Sequence, residues 1–174
     1  MLLAGRPVNG ARPDDLARAG LCLVPEGRGI FPNLTVTENL RLVTHLGPSL
    51  KDIEERTYTR FPRLADRRRQ VAGTLSGGEQ QMLALARTVA TDPAFLLIDE
   101  LSMGLAPRIV DDLYALVGGL AADGLTVLAV EQFARAILGI ASHAVVMAAG
   151  RVVHRGQPDE MAEALSELYL GRAS

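Results

Sequence analysis

The stretch from Leu75 to Gln81 constrains the fold more than any other part of the chain. It reads Leu-Ser-Gly-Gly-Glu-Gln-Gln, and the spacing of Ser76 and Glu79 is that of a capping box, so a helix is predicted to begin here. The two glycines let a ligand approach the backbone, and the free amides of a helix start favour phosphate. Taken alone, these residues fit an ordinary capped helix after a flexible turn equally well.

A second feature is the apolar run 94–98, which ends in Asp99 and Glu100. It predicts a buried strand that leads into two carboxylates, and burying charge without a partner is costly. Mg²⁺ held by Asp99, with Glu100 acting as general base on a water, would offset that cost. Alone, the pair also fits a strand that simply exits into solvent. Together with residues 75–81 it indicates binding and hydrolysis of a nucleoside triphosphate.

The rest of the chain alternates between apolar and amphipathic segments. We expect strands at 21–25, 94–98, 125–130 and 143–147, a hairpin at Ala149-Gly150, and helices at 35–45, at 50–61, from Ser76, near Pro107, from about Phe133 and near Pro158. This order predicts an α/β fold with a parallel sheet covered by helices on both faces. Residues 35–73 are predicted to be helical and strandless, which indicates an inserted subdomain. The helix after Ser76 is expected to leave Gln80, Gln81 and Arg87 nearer its polar side.

The composition narrows the classes of function. A length of 174 residues favours one domain, and a net charge of −2 gives no general attraction to nucleic acid. The basic residues Arg63, Arg67, Arg68 and Arg69 are therefore interpreted as a solvated helix end. Cys22 is the only cysteine, which suits a reducing cytosol. No apolar segment approaches the ~20 residues that cross a bilayer, so work at a membrane would need a partner.

These motifs resemble those of ATP-binding cassette (ABC) ATPases. Residues 75–80 match the signature motif of that superfamily, and residues 95–100 match its Walker B strand. Over segments 24–28, 31–40, 61–64, 102–107 and 130–132 the chain looks like the ATPase subunits of branched-chain amino acid importers. The resemblance implies a P-loop NTPase-like fold, ATP and Mg²⁺ as ligands, a second ABC ATPase subunit and membrane permease subunits as partners, and a cytoplasmic place on the inner face of the plasma membrane.

The resemblance also implies a role for each site residue. The family dimerises head to tail, so the signature contacts ATP held by the partner, with Ser76, Gly77 and Gly78 at its γ-phosphate; the implied nucleotide-binding set is Glu26, Leu75, Ser76, Gly77, Gly78, Glu79 and Gln80. Asp99 would serve Mg²⁺ and Glu100 would activate water. Glu26 stands where many members carry a glutamine that senses the γ-phosphate, and Gln132 stands where most carry a switch histidine.

Four departures from the family pattern bear on mechanism: Glu26, Gln132, Ala106 where the D-loop usually has Asp, and Leu101 where Pro is common. Glu26, Gln132 and Ala106 look typical of the branched-chain amino acid subgroup, whereas Leu101 is less expected. Gln132 can donate a hydrogen bond to phosphate but cannot carry a proton near neutral pH. Any hydrolysis therefore depends on Glu100 as the base.

A fifth departure is that no G-x-x-x-x-G-K-[ST] P-loop occurs in residues 1–174. We expect a partial ABC ATPase domain, with 1–34 and 74–174 as a RecA-like core and 35–73 as the helical subdomain. The strand 94–98 is expected to be an exposed edge prone to aggregation. Two alternatives stay open: a non-catalytic partner that donates its signature, or a decayed fragment. An ABC ATPase acting on DNA is less favoured, since no sustained heptads occur.

Overall fold

The structure is a computed structural model that describes residues 2–3, 5–27, 29–132 and 135–161. Over these residues the strands are β1 (Leu2–Leu3), β2 (Arg6–Pro7), β3 (Leu21–Val24), β4 (Phe95–Asp99), β5 (Thr126–Val130), β6 (Ala144–Ala148) and β7 (Arg151–Gly156). The helices are α1 (Pro13–Arg18), α2 (Val36–Arg41), α3 (Leu50–Arg60), α4 (Pro62–Ala65), α5 (Gly77–Val89), α6 (Pro107–Ala122) and α7 (Arg135–Leu138). Short 3₁₀ turns cover Thr44–Leu46 and Ala72–Thr74. None of the described helices has both the length and the apolar character that a membrane span requires.

Strands β3, β4 and β5 form a parallel sheet with β4 in the middle. Leu97 on β4 lies opposite Leu23 on β3 and opposite Leu128 on β5. The expectation that 94–98 is an exposed edge is therefore wrong, because both sides of this strand are hydrogen-bonded to a neighbour. Within the described part of the chain, the edges of this sheet belong to β3 and β5. The predicted α/β fold with a parallel sheet is confirmed.

The two faces of this sheet differ in burial. Leu96 and Ile98 are at most 1% exposed and share one hydrophobic core with residues of α5 and α6. The opposite face carries Leu23, Leu128 and Val130, which are 53%, 54% and 58% exposed. A parallel sheet is normally buried on both faces. The described helices cover one face, whereas the sequence pattern predicts coverage of both.

The segment between β3 and α5 contains α2, α3 and α4, in agreement with the prediction that residues 35–73 are helical and strandless. A capping box opens α2: the amide of Glu38 donates to Thr35 Oγ1 at 3.2 Å, and the Thr35 amide donates to Glu38 Oε2 at 2.8 Å. Thr35 and Val71 form an isolated bridge that brings the two ends of the segment together. Its standing as a separate subdomain stays a prediction.

Several boundaries differ from the expected ones. Pro62 ends α3, as predicted, but it also opens α4 at a first-turn position, where its missing N–H costs nothing. Helix α1 was not predicted from the sequence. It also begins with a proline in its first turn, Pro13. The predicted helix start at Phe133 lies outside the described residues, and the chain is helical again at 158–161. Strands β6 and β7 form the predicted hairpin through Ala149 and Gly150.

Candidate functional site

The glycine-rich stretch begins α5 with a complete capping box. Ser76 Oγ accepts a hydrogen bond from the Glu79 amide, while the Ser76 amide and hydroxyl both donate to Glu79 Oε2 at 2.9 Å. This reciprocal pairing fixes Ser76 in extended backbone at the head of a 13-residue helix. Ser76 is exposed and Gly77 is half-buried. The start of α5, where the first amides have no partner within the helix, therefore leaves Ser76 and part of Gly77 accessible to solvent.

Glu79 also receives an ion pair from the helical segment. Arg67 Nε lies 2.7 Å from Glu79 Oε1, and the Glu79 side chain is only 16% exposed. Burial acts to raise the pKa of Glu79, but the hydrogen bonds from Ser76 and the charges of Arg67 and Arg63 outweigh it and hold that pKa below its usual value. Arg63 in turn pairs with Asp112 on α6 at 3.3 Å.

The basic run is thus not simply a solvated helix end. Besides these two pairs, Arg68 lies over the ring of Tyr58 at 5.1 Å and donates to the Ala65 carbonyl. A cleft of about 500 Å³ beside the signature is lined by Arg63, Asp66, Arg67, Gln70 and Glu79. The arginines here hold α4 and the turn after it against the start of α5 and against α6.

Within the signature, Leu75 and Gly78 are buried and Gln80 is half-buried. Gly78 is buried where α5 meets the first turn of α6, and a Cβ at this position would overlap Ile109 Cγ2. Gln80 donates from its side-chain amide to the carbonyls of Ala72, Gly73 and Leu75, which ties the preceding 3₁₀ turn to α5. Gln81 is 2% exposed, so the prediction that it lies on the polar side of the helix is wrong.

The other predicted residues gather at the carboxyl edge of the sheet. Glu26 lies after the end of β3. Asp99 is the last residue of β4 and Glu100 follows it, while Gln132 lies after the end of β5. Because these strands are parallel neighbours, their carboxyl ends share one edge. Glu26, Asp99 and Gln132 are exposed there, and Glu100 is half-buried.

The backbone at Glu100 is strained. Its φ is 48°, in the left-handed region that residues with a side chain seldom adopt. The amide of Glu100 donates to the Val130 carbonyl at 2.9 Å, which anchors this turn to β5. The turn aims the chain out of the sheet immediately after the strand, as a site at a sheet edge requires.

The donor set at this edge fits magnesium only in combination with a substrate. No group of three or more acidic, histidine or cysteine side chains gathers in the part of the chain that the structure describes. Mg²⁺ is usually held by one or two carboxylates plus substrate phosphates and water, rather than by an all-protein cage. The exposed carboxylate of Asp99 matches that mode of binding.

Two departures from the family pattern lie in the loop after Glu100. Leu101 is 1% exposed and forms part of the core, so its side chain has a packing role. Ala106 is the N-cap of α6 and supplies no side-chain hydrogen bond, while Pro107 occupies the first turn. An aspartate at position 106 would cap this helix.

The segment after Glu26 is held by two side chains from helices. Asn39, fully buried on α2, accepts from the Phe31 amide at 2.9 Å and donates to the carbonyls of Phe31, Leu34 and Thr35. Arg87, in the last turn of α5, donates to the Gly29 carbonyl at 2.5 Å and lies over the Phe31 ring at 5.0 Å.

Comparison with known proteins agrees with this geometry. The sequence profile of the ABC transporter family matches residues 1–102, more than half of the chain. The chain belongs to the ABC transporter family. The high-affinity branched-chain amino acid transport ATP-binding protein BraG of Pseudomonas aeruginosa is 40% identical over 155 residues, which cover 86% of this chain and 65% of BraG. The probable branched-chain amino acid transport ATP-binding protein LivF of Archaeoglobus fulgidus is 32% identical, over 94% of this chain and 70% of LivF.

Other members of the ABC family are also similar. Ribose and arabinose import ATP-binding proteins match at 30–35% identity, with this chain covering 36% of each. The fold resembles the crystal structure of the ATP-binding cassette MJ1267 in its ADP conformation, with a TM-score of 0.82 at 24% identity, over 96% of this chain and 75% of that one. This chain therefore spans about two thirds of BraG and LivF and a smaller part of the sugar importers.

In this structure Glu26, Asp99, Glu100 and Gln132 lie at one edge of the sheet, and the signature lies at the start of α5. None of the four sheet-edge residues lines the cleft beside the signature. Sequence reasoning missed Glu131, Asn39 and the Arg87 contact. Only Glu131 carries a sequence signal, a charged residue directly after an apolar strand; the partners of the other two are set by packing.

Proposed function

We propose that this chain belongs to the ATP-binding and ATP-hydrolysing subunit of an ABC importer for branched-chain amino acids. The observation that carries the proposal is the meeting of Glu26, Asp99, Glu100 and Gln132 at the carboxyl edge of a parallel sheet, where such folds bind ligands. Family membership and the capped signature helix support it.

At this edge each side chain has chemistry suited to ATP. Asp99 would hold Mg²⁺, which neutralises charge on the β- and γ-phosphates when bound. Glu100 would accept a proton from the attacking water, and the left-handed turn fixes its direction. Gln132 would donate a hydrogen bond to a phosphate oxygen and leave the proton to Glu100. Glu26 would respond to the γ-phosphate and contact a membrane subunit.

The signature would act on a second subunit. Ser76 is exposed and Gly77 is half-buried at the start of α5, where they can reach a phosphate held by a partner, whereas Gly78 is buried and would offer only its backbone amide. The subunit is proposed to work as a dimer beside integral membrane permease subunits, on the cytoplasmic side of the plasma membrane. Residues 1–34 and 74–174 would form the core, and residues 35–73 the helical subdomain.

Branched-chain amino acids are proposed as the solute because BraG and LivF carry that description, with BraG at 40% identity over most of this chain. Relatives described as sugar importers are 32% and 35% identical, below BraG, and this chain covers only 36% of each. Glu26, Gln132 and Ala106, which look typical of the branched-chain subgroup, point the same way. The solute itself would be selected by other subunits.

The test edits the gene in its native cell, so that the protein is used as the cell makes it. Glu100→Gln keeps the shape of the side chain but removes the base, and we expect ATP hydrolysis by the purified protein to fall at least 100-fold. Uptake of labelled leucine should fall with it, while arabinose uptake should not change. Glu55→Gln, on the exposed side of α3, is the matched control.

The outcomes separate the alternatives. Loss of arabinose uptake with normal leucine uptake would refute the proposed solute. A non-catalytic signature donor would keep its partner's hydrolysis after Glu100→Gln and lose it after Ser76→Arg, which blocks the start of α5. Normal hydrolysis and normal uptake in both variants would refute the proposed function altogether.

A further inference from the structure

Glu131 is the meeting point of three segments. Its carboxylate accepts hydrogen bonds from the Ser102 amide at 3.0 Å, from the Ser102 hydroxyl at 2.5 Å, and from the hydroxyl of Tyr114. Ser102 lies in the loop after β4, Tyr114 is buried on α6, and Glu131 directly follows β5. The half-buried carboxylate of Glu131 thus connects the end of β5 with the loop after β4 and with α6.

The position of this carboxylate matters because of its neighbours in the chain. Ser102 is two residues after Glu100, and Glu131 immediately precedes Gln132. The Glu100 amide already donates to the Val130 carbonyl. The hydrogen bonds from Ser102 to Glu131 therefore form a second connection between the segment after β4 and the end of β5. One connection is at the amide of Glu100 and the other is two residues later, at Ser102. Together they hold the strained backbone of Glu100 against the segment that carries Gln132.

The chemistry calls for a carboxylate at this point. Ionised Glu131 is purely an acceptor, so it can satisfy three donors at once, whereas a glutamine would turn an N–H group toward one of them. Hydrogen bonds to a charged acceptor are about twice as strong as neutral ones. Burial, the bond to Glu131 and its negative charge all raise the pKa of Tyr114, so its hydroxyl keeps the proton that it donates.

We propose that Glu131 is a positioning residue, whose carboxylate fixes the loop after Glu100 and so sets the geometry between Glu100 and Gln132. The consequence for catalysis rests on the function proposed above. The consequence for the loop does not, and it can be measured without nucleotide.

The first experiment is hydrogen exchange of the chain with Glu131→Gln, Tyr114→Phe and the control Glu55→Gln. We expect peptides covering 101–106 to exchange at least tenfold faster in Glu131→Gln, while peptides of α5 change less than twofold. Tyr114→Phe keeps the buried ring and removes one donor, so it should give a smaller increase in the same peptides. This variant also decides the question if Glu131→Gln does not fold. Unchanged exchange at 101–106, or an equal rise in all peptides, would overturn the proposal.

The second experiment measures ATP hydrolysis by the protein purified from its native cell. Glu131→Gln should lower kcat about 10- to 100-fold and leave KM for ATP within twofold, because alignment is lost but binding is not. Glu131→Asp keeps the charge and should recover kcat to within tenfold of the native value. If the native protein hydrolyses ATP and Glu131→Gln keeps its full kcat, the positioning role is wrong. If the native protein itself is inactive, the proposed function fails while the exchange result stands.

Discussion

Replacing Gly78 by alanine tests the packing of the signature helix. A Cβ at Gly78 would overlap Ile109 Cγ2, so either α5 or the start of α6 has to shift. Forcing an extra methyl group into a packed contact costs about 1–3 kcal/mol, and alanine recovers up to about 1 kcal/mol through its higher helix propensity. We therefore expect Gly78→Ala to lower the free energy of unfolding by about 1 kcal/mol.

The glycines of α6 provide matched controls. Gly119 has open space around its Cβ position, so Gly119→Ala should raise the free energy of unfolding by about 0.5–1 kcal/mol. Gly118 is intermediate, because its Cβ would lie 3.1 Å from Ile140 Cγ2, and its alanine variant should change little. The three variants make the same chemical change in a helix and differ in the space available.

Ile109→Leu isolates the contact, since leucine has no Cγ2 on a branched Cβ. In a double-mutant cycle the Gly78→Ala cost should shrink by at least about 0.5 kcal/mol in the Ile109→Leu background. Urea unfolding gives the energies, and thermal melts should show about 2–4 °C for each 1 kcal/mol in a chain of this size. Equal effects of Gly78→Ala and Gly119→Ala, with no coupling to Ile109, would refute the reasoning.

Three further predictions concern the parts that hold the site. Asn39→Ala leaves the Phe31 amide and several carbonyls without their partner, so it should lower the free energy of unfolding by about 2–3 kcal/mol in urea titrations; a loss below 0.5 kcal/mol would contradict the network. Ala106→Asp should add an N-cap to α6 and raise the free energy of unfolding by about 1 kcal/mol, with Ala115→Asp on the exposed face of α6 as the control that gains nothing. The pKa of Glu79 is lowered in the folded protein, so its ionised form stabilises the fold above the unfolded value of about 4.3, and this contribution is lost as pH falls through the folded pKa. Native protein should thus be more stable than Glu79→Gln at pH 7 and converge with it below about pH 4 in urea titrations; a constant difference across that range would be evidence against the ion pair with Arg67.

Local sequence signals predicted the local structure well. The capping boxes at Thr35 and Ser76 depend on residues three positions apart, so the sequence alone shows them, and both form as predicted. Pro107 at the start of α6 and the Ala149-Gly150 turn are of the same kind. The gathering of Glu26, Asp99 and Gln132 at one sheet edge follows from the parallel pattern of the strands.

What sequence reasoning missed depends on distant contacts. The order of strands is not written in any one strand: the run 94–98 is apolar throughout, which suits a central strand and an edge under a helix equally, and its place between β3 and β5 could not be read from it. Gln81 is buried because α5 is contacted by β3 and by three helices, which leaves a narrow polar stripe. Glu131 finds its donors 29 and 17 residues away, beyond any local pattern.

Helix α5 connects two regions that the sequence separates widely. Its first turn contains part of the signature. Its last turn contains Arg87, which donates to the Gly29 carbonyl and lies over the Phe31 ring, in the segment that follows Glu26. The two ends are about 16 Å apart along a continuous hydrogen-bonded helix. If the helix moves as a rigid body, a displacement of about 1 Å at its Arg87 end, perpendicular to the helix axis, tilts the axis by about 3–4°. A displacement near Glu26 that carried Arg87 with it would therefore also reorient Ser76 and its neighbouring amides.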